Sequence, residues 1–361
     1  MELLSVTMND GVKPRSEIEG KDNSSEDKSN YKIVRKGDMV YNSMRMWQGA
    51  NGISPCDGIV SPAYTVLMPK QEINNGYFAA LFKSANLINE FRKNSQGMTS
   101  DTWNLKYPQI ETIKVQIPSV SEQDKVSELF GVLDARIVAQ AQLVESLKKY
   151  KRGLLNAFFA EKSDYFLFSD ASALKIEEVC DVLSGKRIPK GETFCSHPTE
   201  YRYITVSDMG EKYVCSDNLQ YISEHTEKQI SRYKVKGGDI IISVAGTLGK
   251  LNIITSDLGG VNLTENCDRF TNFRGVGSEY LYYVLSSDLI QSQIESSKTK
   301  NGQPKLALER IRNFTIPVPH QEIQEQLVKV MISLDQYIAS QLAILDRYCK
   351  LRSGLLQQLF I

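Results

Sequence analysis

Two short loops in the first third of the chain carry side chains of the kinds that contact nucleic acids. The stretch RMWQGANGIS is rich in glycine, follows a predicted strand and contributes Arg45, Trp47, Gln48 and Asn51. The stretch KNSQGMTSDTWNLKYPQ is basic and polar and contributes Lys93, Asn94, Gln96, Trp103, Asn104 and Lys106. Cationic and amide groups of these kinds bond to phosphates and to base edges. We therefore take these residues as candidates for DNA contacts.

Both loops recur in the second half of the chain with different side chains. The stretch VAGTLGK contributes Thr247 and Lys250, and the stretch KTKNGQPKLALERIRN contributes Lys298, Lys300, Asn301, Gln303 and Lys305. For any one of these residues, an ordinary solvated loop is the alternative. The recurrence favours recognition, because two related scaffolds with divergent loops suit two different binding tasks.

Other chemistries find little support in the sequence. Four possible metal ligands lie near one another but fit no zinc spacing: Cys195, His197, Cys215 and His225. The GTLGK stretch resembles part of a phosphate-binding P-loop, but Leu251 stands where that motif needs Ser or Thr. The histidines are scattered, so acid-base catalysis is not expected. We predict no metal site and no catalytic residue in this chain.

An internal repeat organises the loops. Shifting the sequence by 201 residues aligns Gly37-Asp38 with Gly238-Asp239, Pro118 with Pro319, and Gly153-Leu154-Leu155 with Gly354-Leu355-Leu356. The chain is therefore a tandem duplication of one unit. Each unit is predicted to contain a mixed domain of short strands, turns and some helix, followed by a long helix.

The long helices are predicted from the spacing of apolar residues. Steps of four and three residues run from Val126 to Phe158 and from Leu327 to Leu359, and Ser119 with Glu122 predicts a capping box at the first start. A helix of about 40 residues is roughly 60 Å long and needs a partner along its length. We expect the two helices to pair antiparallel with pseudo-two-fold symmetry. The predicted seam residues are Leu133, Ile137, Gln140, Val144, Leu147, Leu334, Ile338, Gln341, Leu345 and Tyr348.

Polar residues interrupt both series at equivalent places. Gln140 and Gln341 are expected to fix the register of the seam at some cost in stability, while Lys151 and Arg352 are expected to reach out at its ends. The alternative is a pair of independent amphipathic helices, each packed on its own domain.

The composition is that of an ordinary globular protein. The 361 residues exceed one typical domain, and 43 Lys and Arg balance 43 Asp and Glu. Zero net charge argues against tight DNA binding by this chain alone and suits a subunit of a complex. Dispersed cysteines indicate reduced thiols, and neither a signal peptide nor a membrane-spanning run is found. We expect a cytoplasmic protein without membrane contact.

The chain resembles the specificity subunit of type I restriction-modification systems. The resemblance rests on KGDMVYNSMRMWQGANGIS followed by DGIVSPAYTV, and on KGGDIIISVAGTLGK in the second copy. It also rests on the IP and VP leads into the helices and on GLL near each helix end. It covers nearly the whole chain, and the order of domain, long helix, domain and long helix is characteristic of that family.

The resemblance implies an α+β fold in which two mixed α/β target-recognition domains are separated by two long antiparallel coiled-coil helices with pseudo-two-fold symmetry. It implies target-recognition domains at residues 1–117 and 161–317, a central conserved helix at 118–160 and a distal conserved helix at 318–361. Each domain is expected to read one half of a bipartite, asymmetric target on double-stranded DNA, largely in the major groove. The helices are expected to act as a spacer.

The resemblance also implies partners. Two methyltransferase subunits, which use S-adenosylmethionine, and two translocating restriction subunits, which use ATP and Mg, would supply the catalysis. This chain is expected to be non-catalytic and to hold no cofactor. The alternative is a coiled-coil scaffold or decoy subunit that binds methyltransferase without productive DNA recognition.

The first copy departs from the family pattern at its start. Leu4-Ser5-Val6-Thr7 aligns near Ile204-Thr205-Val206-Ser207, so the first copy has no counterpart of residues 165–203. That region includes KIEEVCDVLSGKRIPKGE, in which Lys186 and Arg187 are expected phosphate contacts. A truncated first domain, an internally placed start codon and completion by another chain are three explanations. Recognition by the first domain depends on which of them holds.

Overall fold

The computed structural model describes residues 1–8, 11–18, 20, 22, 24–159, 171–296 and 305–360. The chain divides into two compact units, Met1–Val144 with Ser340–Ile361, and Glu145–Ala339. We call them the first unit and the second unit. Four predicted DNA contacts lie outside the described residues: Lys298, Lys300, Asn301 and Gln303.

The first unit contains two small sheets and several helices. Its strands are β1 (Glu2–Thr7), β2 (Gly11–Pro14), β3 (Lys32–Val34), β4 (Met39–Asn42), β5 (Asn51–Ile53), β6 (Gly58–Val60) and β7 (Tyr64–Leu67). Its helices are α1 (Asn75–Leu81), α2 (Ala85–Asn94), α3 (Tyr107–Ile110) and the first part of α4 (Val120–Phe159). The strand orders are β2-β1-β6-β3 and β5-β4-β7.

The second unit has the same plan with additional elements. In chain order it contains β8 (Ser172–Lys175), α5 (Ile176–Val179), β9 (Asp181–Ser184), β10 (Arg202–Ile204), β11 (Gln220–Tyr221), α6 (Glu224–Ile230), β12 (Ile240–Ser243), β13 (Leu251–Ile253), β14 (Asn262–Leu263), β15 (Cys267–Thr271), α7 (Ser278–Ser286), α8 (Asp288–Ser296), α9 (Leu308–Arg312), β16 (Thr315–Val318) and the first part of α10 (Gln321–Leu359). Its strand orders are β11-β10-β14, β13-β12-β15-β9 and β16-β8.

The sheets confirm the predicted duplication. β4 pairs antiparallel with β5 and β7, and β12 pairs antiparallel with β13 and β15 in the matching register. β1 pairs antiparallel with β2 and parallel with β6, as β10 does with β11 and β14. The turn before β4 is also repeated before β12, since Gly37 and Gly238 have φ values of 91° and 87°. Glycine adopts this left-handed region without steric cost.

The cores pack sheet residues against helices. In the first unit Tyr41 and Met46 pack with Leu87 and Phe91 of α2. In the second unit the buried face of β12 packs against α7, where residues 280–285 are all buried. α1 and α2 are separated at buried Ser84, and α7 and α8 are separated at buried Ser287. No helix of the described ranges is both long and apolar enough to cross a membrane.

The two long helices pair antiparallel within each unit. In the first unit Gln140 Nε2 donates to Gln341 Oε1 at 2.9 Å, and the Phe130 ring stacks on Phe360 at 6.0 Å. In the second unit the end of α4 shares a core with the start of α10, through Leu155, Phe159, Leu327 and Met331. The alternative of two independent helices is therefore wrong.

The predicted capping box at the start of α4 is confirmed. The Ser119 N–H donates to Glu122 Oε2 at 3.0 Å, and the Glu122 N–H donates to Ser119 Oγ at 3.4 Å. The two bonds satisfy backbone N–H groups that have no partner within the helix at its start.

The predicted outward position of Lys151 and Arg352 is wrong. In the second unit Lys151 Nζ forms an ion pair with Asp335 of the opposite helix. In the first unit Arg352 forms the equivalent pair with Asp134, with an Nη2–Oδ2 distance of 3.2 Å. Both cations begin near the seam, so their long side chains meet a carboxylate across it before they reach open solvent.

Candidate nucleic-acid interface

In each unit the glycine loop and the polar loop lie side by side. The Leu105 N–H donates to the Ser43 carbonyl at 2.8 Å, and the Leu306 N–H donates to the Val244 carbonyl at 2.9 Å. These two bonds join equivalent positions of the repeat. We call residues 43–51 with 93–106 the first loop pair, and residues 244–250 with 305–306 the second loop pair.

The first loop pair is built around two tryptophans. The Trp47 and Trp103 rings meet edge to face, with centroids 5.2 Å apart. The Arg92 guanidinium lies 5.8 Å from the Trp47 ring, and Trp47 Nε1 donates to the Met44 carbonyl at 3.1 Å. Aromatic pairs and cation–π contacts of this kind hold side chains in place at a surface. The arrangement offers a half-buried aromatic platform beside a cation.

The remaining candidates of the first loop pair differ in exposure. The exposed ones are Arg45, Lys93, Gln96 and Lys106, and the half-buried ones are Gln48, Asn94 and Asn104. Lys93 Nζ donates to Glu90 at 2.7 Å, which offsets part of its charge. The Gln96 and Asn104 backbones exchange hydrogen bonds of 3.1 and 2.9 Å and close the polar loop. Arg45 and Lys106 therefore offer the more available charges.

Asn51 corrects the sequence prediction. Its side chain is fully buried, and Asn51 Nδ2 donates to the Gly49 carbonyl at 3.1 Å. β5 begins at Asn51, opposite Tyr41 in the register with β4, so the chain has already turned into the core. In this conformation Asn51 shapes the loop and has no surface with which to contact DNA.

The second loop pair is closed by Ser243. Ser243 Oγ donates to the Thr247 carbonyl at 2.5 Å and accepts from the Lys250 N–H at 2.9 Å, while the Gly249 N–H donates to the Ser243 carbonyl at 2.9 Å. Amide groups that a P-loop would direct at phosphate are thus used inside the turn. This disfavours nucleotide binding.

The charged groups of the second loop pair are partly engaged. Thr247 and Lys305 are exposed, and a backbone bridge joins Ala245 to Lys305. Lys250 is exposed, but its Nζ donates to the Met209 carbonyl. Lys305 therefore has the more available cation.

Lys186 and Arg187 follow β9 and are both exposed. Lys186 Nζ lies 5.8 Å from the Tyr233 ring. Arg187 Nε donates to Glu265 Oε1 at 2.6 Å, and this bond raises the pKa of Arg187. Lys186 is therefore the more available of the two to a phosphate, whereas Arg187 would first have to leave Glu265.

A buried carboxyl lies next to the second loop pair. Asp268 on β15 is paired with Ile242 on one side and Ser184 on the other. Burial raises the pKa of Asp268, while a hydrogen bond from Ser184 and the charges of Lys305 and Arg312 oppose this shift. The buried Asp268 carboxyl therefore interacts with the Lys305 charge from beneath the surface.

Sequence reasoning missed a glutamine that fixes each long helix to its domain. Gln123 Nε2 donates to the Pro118 carbonyl at 2.9 Å, and its Oε1 accepts from the Asn74 N–H at 2.9 Å. Gln324 bonds likewise to the Pro319 carbonyl at 3.0 Å and to the Gly277 N–H at 3.3 Å. An identical polar residue at one position of both copies was the available signal. Arg92 was also missed, since only its contact with Trp47 distinguishes it.

The comparison with protein families decides the identity. The family described as the type I restriction modification DNA specificity domain matches residues 5–149 and 169–346. The chain belongs to this family. Among type I specificity relatives, the MjaVIII specificity subunit of Methanocaldococcus jannaschii is 24% identical over 85% of this chain and 74% of its own length. The EcoBI specificity subunit of Escherichia coli is 22% identical over 62% of this chain, which spans 52% of that relative.

Solved structures of type I systems share the fold. A chain from a study of complex assembly and conformational transition in the type I R-M system has a TM-score of 0.62 and 17% identity, and the match covers 90% of this chain and 82% of that one. The type I S subunit from M. genitalium has a TM-score of 0.55 and 17% identity, with 91% and 84% covered. The predicted α+β fold class is thereby confirmed, and the family match given above confirms the predicted family.

Proposed function

We propose that this chain is the DNA sequence-specificity subunit of a type I restriction-modification complex and reads a bipartite, asymmetric target on double-stranded DNA. The observation that carries the proposal is the same backbone bond between two loops in both units, Leu105 to Ser43 and Leu306 to Val244. The scaffold is constant and the presented side chains differ. One unit would therefore read one half-site and the other unit a different one.

The loop side chains suit both parts of DNA recognition. Arg45 and Lys106 in the first unit, and Lys186 in the second, are exposed cations that would bond to phosphates. Gln96 in the first unit, and Thr247 and Lys305 in the second, are exposed and would read base edges in the major groove. Lys298, Lys300, Asn301 and Gln303 remain candidates on sequence grounds alone.

Exposed apolar residues on the long helices support recruitment of partner subunits. Leu129 and Val330 are equivalent in the repeat and 45% and 46% exposed, and Tyr150 and Leu351 are equivalent and 61% and 52% exposed. Apolar residues exposed at the same positions of both copies favour an interface used twice. We propose that they bind two methyltransferase subunits. These would use S-adenosylmethionine, and two restriction subunits using ATP and Mg would join them, so this chain needs no cofactor of its own.

The test of DNA reading is methylation mapping. The chain is co-expressed with a type I adenine methyltransferase, and modified adenines are located by sequencing. The expected motif has two specified halves around an unspecified gap. Lys305→Ala combined with Thr247→Ala should change one half, and Gln96→Ala the other. Lys350→Ala, an exposed position in an i,i+4 pair on α10, should change neither. A change of both halves by one variant would refute independent reading, and absence of a bipartite motif would favour a scaffold.

The recruitment proposal has its own test. Tyr150→Asp with Leu351→Asp should prevent co-purification of the methyltransferase, because a carboxylate cannot be buried unpaired in an apolar contact. Tyr150→Phe with Leu351→Ile, which keeps the surface apolar, should leave co-purification intact. Equal yields with both double variants would remove these residues from the interface.

A further inference from the structure

One edge of the first unit's second sheet is open. In the second unit β15 is paired on both sides, by β12 and by β9. The equivalent strand β7 is paired with β4 on one side. No described residue pairs with the other side of β7, and its residues are only partly buried, whereas all five residues of β15 are buried.

The open edge presents unpaired backbone groups. The Ser43 N–H donates to the Ala63 carbonyl at 3.3 Å, so these two residues form a hydrogen-bonded pair between the chain segments of β4 and β7. In an antiparallel ladder every second residue is bonded to the partner strand in this way. Thr65 and Leu67 therefore bond toward β4, and Val66 points its N–H and carbonyl away. Neither group of Val66 has a hydrogen-bond partner among the described residues. Its equivalent, Arg269, is paired with Leu183 of β9.

A lysine occupies part of the open edge. Lys32 Nζ donates to the Pro62 carbonyl at 3.1 Å and to the Tyr64 carbonyl at 2.5 Å. In the second unit the carbonyl equivalent to that of Tyr64 belongs to Cys267, and it accepts from the Gly185 N–H at 3.0 Å. Lysine side chains are common at the edges of sheets, where they hinder pairing with a further strand. Here its ammonium takes the place of a backbone donor, and an incoming strand could displace the flexible side chain.

Apolar residues of the first unit are exposed at positions whose equivalents in the second unit are covered. Val115 is 38% exposed, whereas its equivalent Ile316 is fully buried. Met68 is 83% exposed, whereas its equivalent Thr271 is 2% exposed. In the second unit Ile316 of β16 is paired with Leu174 of β8. The aliphatic side chains of α5 belong to the same hydrophobic core as Ile316. The exposed surface of the first unit thus coincides with the area that β8, α5 and β9 cover in the second.

A cavity of about 740 Å³ lies next to the open edge and is lined in part by Leu3, Ser61, Pro62 and Tyr64. The equivalent residues of the second unit contact the segment that follows β9. Tyr203, the equivalent of Leu3, donates its hydroxyl to the Lys186 carbonyl at 2.7 Å. Glu265, the equivalent of Pro62, accepts from Arg187. The cavity therefore lies where residues 185–187 pass in the second unit.

We propose that the β7 edge, the Val115 surface and this cavity form an acceptor for a peptide segment. Its chemistry would be that of residues 172–187: a short helix with two aliphatic side chains, a strand of about four residues, then a glycine and cations. The strand would add to β7 by backbone hydrogen bonds, as in other cases of strand addition. The proposal goes beyond DNA reading and does not depend on it.

The test uses a synthetic peptide of residues 171–190 and the full-length chain under reducing conditions. Exchange of the Val66 amide is followed by residue-resolved hydrogen exchange. Saturating peptide should slow this exchange at least tenfold, because the amide gains a strand partner. A Leu183→Pro peptide lacks the donor that faces the acceptor strand and should give no protection. Equal protection by both peptides, or none by the unmodified one, would overturn the proposal.

Changes in the acceptor provide the second arm. Val115→Asp places a charge on a surface that is already exposed, so the chain should fold, and peptide affinity should fall at least tenfold. Lys32→Met removes the competing donor, and peptide affinity should rise by severalfold. The peptide is also fused ahead of Met1 through a flexible linker. Absence of protection in this fused form as well would exclude the acceptor.

Discussion

The ion pair between Asp134 and Arg352 should stabilise the antiparallel seam measurably. Arg352 bonds to Asp134 through two nitrogens and lies with its guanidinium 5.8 Å from the Phe130 ring. The cycle consists of Asp134→Asn, Arg352→Met and the double variant. Methionine keeps much of the apolar stem of arginine while removing its charge, so the cycle isolates the polar contact.

The exposure of the pair sets the size of the effect. The Arg352 side chain is 22% exposed and the Asp134 side chain 49%, so water screens the contact only in part. An ion pair with two hydrogen bonds in this setting contributes about 1 kcal/mol to the free energy of unfolding, and the contact with the Phe130 ring adds about 0.5 kcal/mol. We expect Arg352→Met to cost about 1.5 kcal/mol and Asp134→Asn about 1 kcal/mol. The coupling energy should be about 0.5–1 kcal/mol.

The assay is thermal unfolding of the four proteins at low and high salt. For a unit of this size, 1 kcal/mol shifts Tm by about 2–4 °C. The control is a second cycle on Asp346 and Lys350, an i,i+4 pair on the same helix with 58% and 77% exposure. Its coupling should be at most about 0.5 kcal/mol. Additive effects at Asp134 and Arg352 would refute the assignment of the pair to the seam.

Three further predictions concern the seam, the buried carboxyl and the DNA contacts. Gln140→Leu with Gln341→Leu should raise Tm but broaden the interhelix distances measured by spin labels; a single register without a gain in Tm would contradict the seam assignment. Burial raises the pKa of Asp268, so its contribution to stability is lost as pH rises. Asp268→Asn should therefore melt higher than the parent at pH 7 and equally near pH 3, and a gain independent of pH would oppose this. Arg45→Ala and Lys106→Ala should each reduce the salt dependence of DNA binding by the assembled complex by about one unit of slope, and an unchanged slope would exclude a phosphate contact.

The repeat and the long helices could be predicted from the sequence because their signals are local or periodic. The turn at Gly37 and Gly238 recurs with the same strand after it, and the heptad spacing identifies the seam face. The joining of the glycine loop to the polar loop was only suggested by their recurrence. It depends on a backbone bond between Leu105 and Ser43, which no side-chain pattern encodes.

The errors arose where a side chain's partner comes from a distant part of the chain. Lys151 and Arg352 looked like outward cations, because the heptad pattern does not reveal an aspartate on the opposite helix. Asn51 looked like a base reader, because its loop setting concealed that a core strand begins there. Gln123 is a polar residue of the kind usually found at the surface. Its structural role is visible only in its hydrogen bonds to the Pro118 carbonyl and the Asn74 N–H.

The most direct test of the central claim is the methylation motif of cells that express this chain with a type I adenine methyltransferase. We predict a motif in two parts separated by a fixed gap, with one part changed by Lys305→Ala plus Thr247→Ala and the other left intact. Methylation without a bipartite motif, or loss of both parts in that variant, would contradict the claim that each unit reads its own half of the target.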